Sequence, residues 1–290
     1  MIKCIVSDLD GTLIKPDDTI EDRTWYLLQD LMAKGVEVII ATGRDRNMVV
    51  DFLRQYPIQG DLILNNGAER SDTWFLRHQY YPMNPNAFHQ VSKILVDRGY
   101  LLAIHTDQGK YAFVDRETFW ERHYALLMAN KPDGFSLPKK TFTTREGYLR
   151  DLHYAKDADE MIEKGIQVLK IDARHIDGAS CQGVRSQLDI EGLVFSSSYE
   201  DNIEITSHVS NKGKLLSQLM DEKGYDVDEV AVFGDGLNDC AMLQGKPYSF
   251  APANACKEAK ASSRFILSST CEQGAVGEGI EKLISWGQLP

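Results

Sequence analysis

The feature that most constrains this chain is its first hydrophobic run, which ends abruptly in Asp8-Leu9-Asp10-Gly11-Thr12-Leu13. Ile2, Ile5 and Val6 predict a short buried strand, after which the chain turns polar at once. Asp8 and Asp10 are two apart, so on an extended backbone both carboxylates point to the same side. Gly11 supplies a sharp bend and Thr12 a small hydroxyl. Two acids on one side of a strand end can hold a divalent cation while one of them does covalent chemistry. Taken alone, these six residues fit a plain Asp-Gly turn equally well. The rest of the chain decides between the two.

The pattern recurs along the first part of the chain. Glu21 to Lys34 places Trp25, Leu28, Leu31 and Met32 at helical spacing, with Gly35 as the stop. Val36 to Ala41 is β-rich and runs into Thr42-Gly43-Arg44. A helix follows from about Asp45 to Tyr56, before Pro57, and Asp61 to Leu64 is a further strand ending in Asn65-Asn66-Gly67. Strand, helix, strand, helix, strand with short connections predicts parallel strands and right-handed crossovers. Sites in such sheets lie beyond the carboxyl ends of the strands, where Asp8, Thr42 and Asn66 all fall.

From Pro82 the pattern changes. Asn86 to Asp97 reads as a helix. Leu101–Thr106 and Lys110–Val114 read as a hairpin around Asp107-Gln108-Gly109. Residues 116–165 give no clear period, though Lys131-Pro132-Asp133-Gly134 marks a turn. Val168–Ala173 reads as a strand, and Leu193–Ser198 with Ile203–Ser207 as a strand pair. Hairpins imply antiparallel sheet, hence a separate α+β module. At Lys212 the first pattern resumes: a helix over Lys214–Lys223, a strand over Glu229–Phe233, and then Gly234-Asp235-Gly236-Leu237-Asn238-Asp239. Tyr248–Ala251 and Phe265–Leu267 add short edge strands, and Glu278–Trp286 a last helix. The expected fold is α/β, a Rossmann-like parallel-sheet core over 1–81 and 208–290 interrupted by an inserted α+β cap domain over 82–207.

Composition bounds what such a fold serves. A formal net charge of −11 argues against nonspecific binding to nucleic acid or an anionic membrane. Five dispersed cysteines with no Cys-x-x-Cys pair fit a reducing compartment. No run approaches the length of a membrane span, so a cytoplasmic location is the expectation. Asp235 and Asp239 repeat the logic of Asp8 and Asp10, and carboxylates gathered at one sheet edge need a cation or bound protons to offset them. Oxygen donors without a His or Cys cluster favour Mg²⁺ over zinc. An EF-hand is excluded: Leu13 and Cys240 stand where its sixth-position glycine belongs, and Thr19 where the first stretch needs Glu. Lys212, Arg44, Thr42 and Gly43 are candidate anion binders, and each is equally an ordinary surface or turn residue.

Asp8-Leu9-Asp10-Gly11-Thr12-Leu13, Thr42-Gly43-Arg44, Lys212-Gly213 and Gly234-Asp235-Gly236-Leu237-Asn238-Asp239 together resemble the haloacid dehalogenase superfamily of phosphohydrolases, in that family's order. The inserted module, Asn65-Asn66-Gly67-Ala68 and Ala253-Asn254-Ala255 are similar to its Cof-type subgroup. The resemblance implies a phosphatase acting on small phosphorylated metabolites, sugar phosphates foremost. Asp8 would be the nucleophile that forms an aspartyl-phosphate, and Asp10 the acid and then the base. Mg²⁺ would be held by Asp8, the Asp10 backbone carbonyl and Asp235, with Asp239 supporting. Leu9, Thr42, Gly43, Lys212 and Asn238 would cradle the phosphate, and Arg44 and Asn66 are possible substrate contacts. A sugar phosphomutase of similar architecture and a noncatalytic phospho-ligand-binding module are the alternatives. The substrate is not readable: Arg185, Tyr148, His153 and Tyr199 are the module's candidate contacts, each with a packing or surface role open to it.

Overall fold

The computed structural model describes residues 1–129, 144–177, 181, 183, 184, 187–196 and 202–290. The turn at Lys131–Gly134 and the candidates Arg185 and Tyr199 lie outside the described residues. The chain forms two compact units, the first of Met1–Arg44, Val49–Gln79 and Asn211–Pro290, the second of Asp45–Met48 and Tyr80–Ser210.

Through the first unit and into the second, the elements run β1 (Cys4–Ser7), α1 (Asp22–Ala33), β2 (Glu37–Ala41), α2 (Arg46–Gln55), β3 (Asp61–Leu64), β4 (Glu69–Asp72) and β5 (His78–Tyr80). The second unit continues with α3 (Pro85–Asp97), β6 (Leu101–Thr106), β7 (Gly109–Ala112), α4 (Arg116–Met128), α5 (Arg145–Tyr148), β8 (Leu152–Tyr154), α6 (Ala158–Glu163), β9 (Val168–Arg174), β10 (Leu193–Ser196) and β11 (Asn202–Ser207). The chain then returns with α7 (Lys212–Lys223), β12 (Val230–Phe233), α8 (Cys240–Leu243), β13 (Tyr248–Ala251), α9 (Lys257–Ser262), β14 (Phe265–Ile266) and α10 (Ala275–Ser285).

The first sheet has the order β14-β13-β12-β1-β2-β3-β4-β5. β1 pairs in parallel with both β2 and β12, in the registers Ile5↔Val38 and Ile5↔Ala231. Strand order therefore reverses beside β1, and the carboxyl ends of β1 and β12 open a crevice between them. Every residue of β1 and β12 is buried, because both faces of a parallel sheet are covered. Ile5, Leu9, Val38, Ala231 and Phe233 pack into one core with Leu28 and Leu31 of α1 and Ile280 and Leu283 of α10. Each of the larger of these side chains, Ala231 excepted, contributes about 1.5–3 kcal/mol by leaving water.

Helix ends follow capping chemistry more than apolar spacing. α1 starts where the Glu21 side chain accepts from the Arg23 and Thr24 amides. α7 begins at Lys212 and not at Lys214, because Asn211 caps it by accepting from the Lys214 amide, and Gly224 ends it in the left-handed region. β4 departs from the parallel expectation: it turns back antiparallel on β3, pairing Leu64 with Glu69. Its Glu-Arg-Ser-Asp sequence has no apolar alternation to announce a strand.

The second unit is a sheet of order β10-β11-β9-β6-β7-β8, antiparallel except between β7 and β8. Leu102, Ile104, Ile171 and Ala173 face one way, against Phe88, Val91 and Leu95 of α3 and Met161 of α6. Neighbours of opposite parity include Ala103, which packs with Phe119, Tyr148 and Leu149 from α4 and the α5 region. Tyr148 is buried and stacks on His123 at 4.0 Å between ring centroids, whereas His153 contacts Tyr111 at 5.1 Å. Among the described residues no helix is long and apolar enough to cross a membrane.

Candidate active site

The site residues of the first unit meet beyond the ends of β1, β2, β3 and β12. Asp8 leaves β1 with its amide donating to the Phe233 carbonyl at 3.0 Å, which ties the exits of the two strands together. The Leu9 carbonyl then accepts from the amides of Thr12, Leu13 and Ile14, curling the chain into a tight turn. Gly11 sits at φ 85°, a left-handed conformation, and a Cβ there would stand 2.5 Å from Asp235 Oδ2. The turn therefore needs glycine for its backbone and for the approach of Asp235. Thr12 Oγ1 donates to Asp235 Oδ1 at 2.7 Å, and Asn254 Nδ2 to the Gly11 carbonyl at 2.8 Å.

Lys212 is the first residue of α7 and fully buried. Its ammonium donates to Asp8 Oδ1 at 2.7 Å and to Asp239 Oδ1 at 2.6 Å. The next residue is glycine because α7 packs against α8 so closely that a Cβ on Gly213 would lie 2.3 Å from the Ala241 carbonyl oxygen. Asp239 Oδ2 accepts the Asp235 and Gly236 amides at 3.0 and 2.9 Å, which folds the post-β12 loop around that carboxylate. Oxygens of Asp8, Asp235 and Asp239 lie within 4.8 Å of one another.

Electrostatics follows from that crowding. Burial pushes the Asp8 carboxyl well above the usual carboxylate range, with Asp239, Asp235 and Asp10 adding to the rise and Lys212 opposing it. Asp235 is pushed up to about 7, by burial first and then by the charge of Asp239. Burial alone would lower the Lys212 ammonium, but Asp239 and Asp8 outweigh it and hold the group above its ordinary value. Lys212 pairs with Asp8 and Asp239, and Arg44 with Asp10, so that two cations stand among four carboxylates. An all-oxygen donor set with an excess of negative charge fits a hard divalent cation, with Asp8 and Asp235 best able to hold it. Asp239 already spends both oxygens on Lys212 and two amides, which suits a supporting role.

The remaining predicted residues sort into two groups. Thr42 Oγ1 accepts the Arg44 amide at 3.1 Å, leaving the hydroxyl proton for another acceptor. The Asn66 amide donates to the Thr42 carbonyl at 3.1 Å, and Asn66 Oδ1 accepts from Asn238 Nδ2 at 2.9 Å. Asn65 and Asn66 both adopt positive φ, which asparagine tolerates better than most residues. The Leu9 amide donates to nothing among the described residues. Lys212 contacts Asp8 directly and Leu9 adjoins it in the chain, whereas Thr42 and Asn238 are joined to each other through Asn66, whose Oδ1 a Cβ on Gly43 would meet at 2.9 Å. Arg44 forms the second group: its guanidinium is nearly buried and grips Asp10 and Asp18. Asp18 was not foreseen. It stands in a polar loop with no motif, and only the folded chain brings it to Arg44. Thr12 and Asn254 sat inside recognised motifs, yet their links to Asp235 and Gly11 carry no sequence signal.

A doubly wound parallel sheet with an inserted antiparallel unit thus carries a buried Asp-Lys-Asp cluster beyond the ends of β1 and β12. The family profile for haloacid dehalogenase-like hydrolases matches residues 5–280, and the chain belongs to that family. It is similar to the 5-amino-6-(5-phospho-D-ribitylamino)uracil phosphatase YwtE of Bacillus subtilis, with 24% identity over 98% of this chain and 99% of that protein. Its fold is similar to that of a haloacid dehalogenase-like hydrolase from B. subtilis, with a TM-score of 0.81 at 22% identity over 97% of this chain and 100% of that one. It is also similar in fold to the subclass IIB sugar phosphatase BT4131, with a TM-score of 0.75 at 17% identity over 99% and 100% of the two chains.

Proposed function

We propose that this protein is a Mg²⁺-dependent phosphatase that hydrolyses small phosphorylated metabolites, sugar phosphates foremost, through an aspartyl-phosphate on Asp8. The observation that carries the reading is the buried Asp8 carboxylate, hydrogen-bonded to Lys212 at 2.7 Å beside Asp235 and Asp239. Lys212 favours the ionised, attacking form of Asp8 and orients it. An Asp8 oxygen attacks phosphorus while the bond to the leaving oxygen breaks, and Asp10 gives that oxygen its proton. Water then attacks the same phosphorus, Asp10 takes the water's proton, and the Asp8–phosphorus bond breaks with its electron pair returning to the carboxylate. The Leu9 amide, Thr42 hydroxyl, Gly43, Lys212 and Asn238 hold the phosphate oxygens, and Asn66 steadies Asn238. Held by Asp8, the Asp10 backbone carbonyl and Asp235, with Asp239 behind them, Mg²⁺ would offset negative charge on the transferring group.

The choice of sugar phosphates draws on the ribityl phosphate in the name of YwtE and on the sugar phosphatase BT4131. The test is phosphate release from sugar phosphates, nucleotides, pyridoxal phosphate and an aryl phosphate. Wild type with Mg²⁺, wild type with chelator and Asp8→Asn run side by side. Release that requires both the metal and Asp8 is the expected result. Release that survives Asp8→Asn overturns the mechanism, and formation of an isomeric sugar phosphate in place of free phosphate would mark a mutase.

A further inference from the structure

Arg44 follows β2 and makes four hydrogen bonds to two carboxylates. Nε donates to Asp10 Oδ2 at 2.7 Å and Nη2 to Asp10 Oδ1 at 2.6 Å. On its other edge Nη1 donates to Asp18 Oδ2 at 3.2 Å, and Nη2 also reaches Asp18 Oδ1. The Arg44 side chain is only 3% exposed, whereas that of Asp10 is 41% exposed. A buried fork therefore holds an accessible carboxylate, which is the arrangement expected of a support and its working group.

The loop that delivers Asp18 is built for the purpose. Asp18 lies at φ 69°, a left-handed conformation that costs a non-glycine residue about 1 kcal/mol or more. The loop closes on itself to hold it there: the Asp18 amide donates to the Lys15 carbonyl at 3.0 Å, and the Lys15 amide to the Thr19 carbonyl at 2.9 Å. Asp17 Oδ1 accepts from the Thr19 amide and hydroxyl at 3.1 and 2.6 Å. With Asp18 on one edge and Asp10 on the other, the planar guanidinium has its orientation set from both sides.

A guanidinium only donates, so both Asp10 oxygens face it as acceptors. The fork thereby fixes the direction of both oxygens, and where the leaving group departs without needing a proton, as nitrophenolate does, the water step is the one that depends on that aim. We propose that Arg44, held by Asp18, is a positioning residue that aims Asp10 at the hydrolytic water, and that it acts on breakdown of the aspartyl-phosphate more than on its formation. The proposal rests on the reading of Asp10 given under Proposed function. It differs from a direct contact between Arg44 and substrate, which would act on binding and on the first chemical step.

The test is rapid-quench kinetics with p-nitrophenyl phosphate and Mg²⁺, following nitrophenol and phosphate separately in wild type, Arg44→Lys, Asp18→Asn and Asp10→Asn. Arg44→Lys should slow phosphate release roughly 10- to 100-fold while first-turnover nitrophenol release falls far less, so that a nitrophenol burst appears and phosphoenzyme accumulates. Asp18→Asn, a milder change at a partly exposed side chain, should do the same to a smaller degree. If Asp10→Asn accumulates phosphoenzyme and the Arg44 and Asp18 variants do not, the positioning role is overturned and the mechanism stands. A raised KM with both phases slowed together in Arg44→Lys would assign Arg44 to substrate and overturn the proposal. If Asp10→Asn itself accumulates none, the reading of Asp10 falls and the inference with it.

Discussion

Replacing Asp235 by asparagine should make the metal-free protein more stable while disabling it. Asp235 keeps its shape in this variant, and the oxygen that accepts from Thr12 Oγ1 can remain. What is lost is one negative charge from a crowded, half-buried cluster. The carboxyl is pushed up to about 7 from an ordinary 3.8, by burial and by Asp239. The unfolded chain thus ionises Asp235 near pH 4 and the folded chain only near 7, so ionisation in the folded state opposes folding. Below pH 4 the group is protonated in both states and costs nothing. The penalty builds as pH rises from about 4 to 7 and is constant above. Converted directly, the shift corresponds to roughly 4 kcal/mol. Partial exposure and loop relaxation reduce this to about 2 kcal/mol, or roughly 4–8 °C in Tm for a chain of this size. Calorimetry in excess chelator at pH 8 should therefore find Asp235→Asn melting above wild type, with the gap closing at pH 4.5. Saturating Mg²⁺ should reverse the order, because a cation bound at one hundred times its Kd adds about 2.7 kcal/mol to wild type alone. The electrostatic account of the site fails if the variant melts below wild type in chelator at pH 8, or if the gap is the same at both pH values.

Two further outcomes follow from the same geometry. Lys212→Met should cost about 3–5 kcal/mol in urea denaturation, because it strands Asp8 and Asp239, and adding Asp239→Asn should recover 1 kcal/mol or more. Gly11→Ala should cost about 1–3 kcal/mol by forcing a side chain into positive φ against Asp235, and a Mg²⁺ titration of activity should show a higher half-maximal concentration than wild type.

Much of the core was legible because its signals are local. β-rich runs stop at Asp8, Thr42, Asn66 and Asp235, and alternation with helices implies that those stops share one sheet edge. β4 was not legible, since its polar residues are strand only through pairing with β3. Neither was α4, whose described residues place only Phe119 and His123 in the interior, so that no apolar stripe repeats along it. Lys212 illustrates the limit at a single residue. A lysine beside glycine at a helix start is ordinarily solvated, and nothing nearby in sequence says that this one is fully buried between two aspartates 204 and 27 positions away.

By itself, then, the sequence determined which residues end the strands and what chemistry their side chains can do, because strand and turn propensities act over a few neighbours. Only tertiary structure decided how those side chains are partnered. Arg44 is the clearest case: three residues of a turn motif give it no direction, and an anion ahead of it was as good a partner as any. Its actual partners stand 34 and 26 positions away, one on the β1 turn and one on a strained loop that earns nothing until the fold brings it within hydrogen-bond reach. Ion pairs of this kind depend on distance and burial, and neither quantity exists in a chain until it has folded.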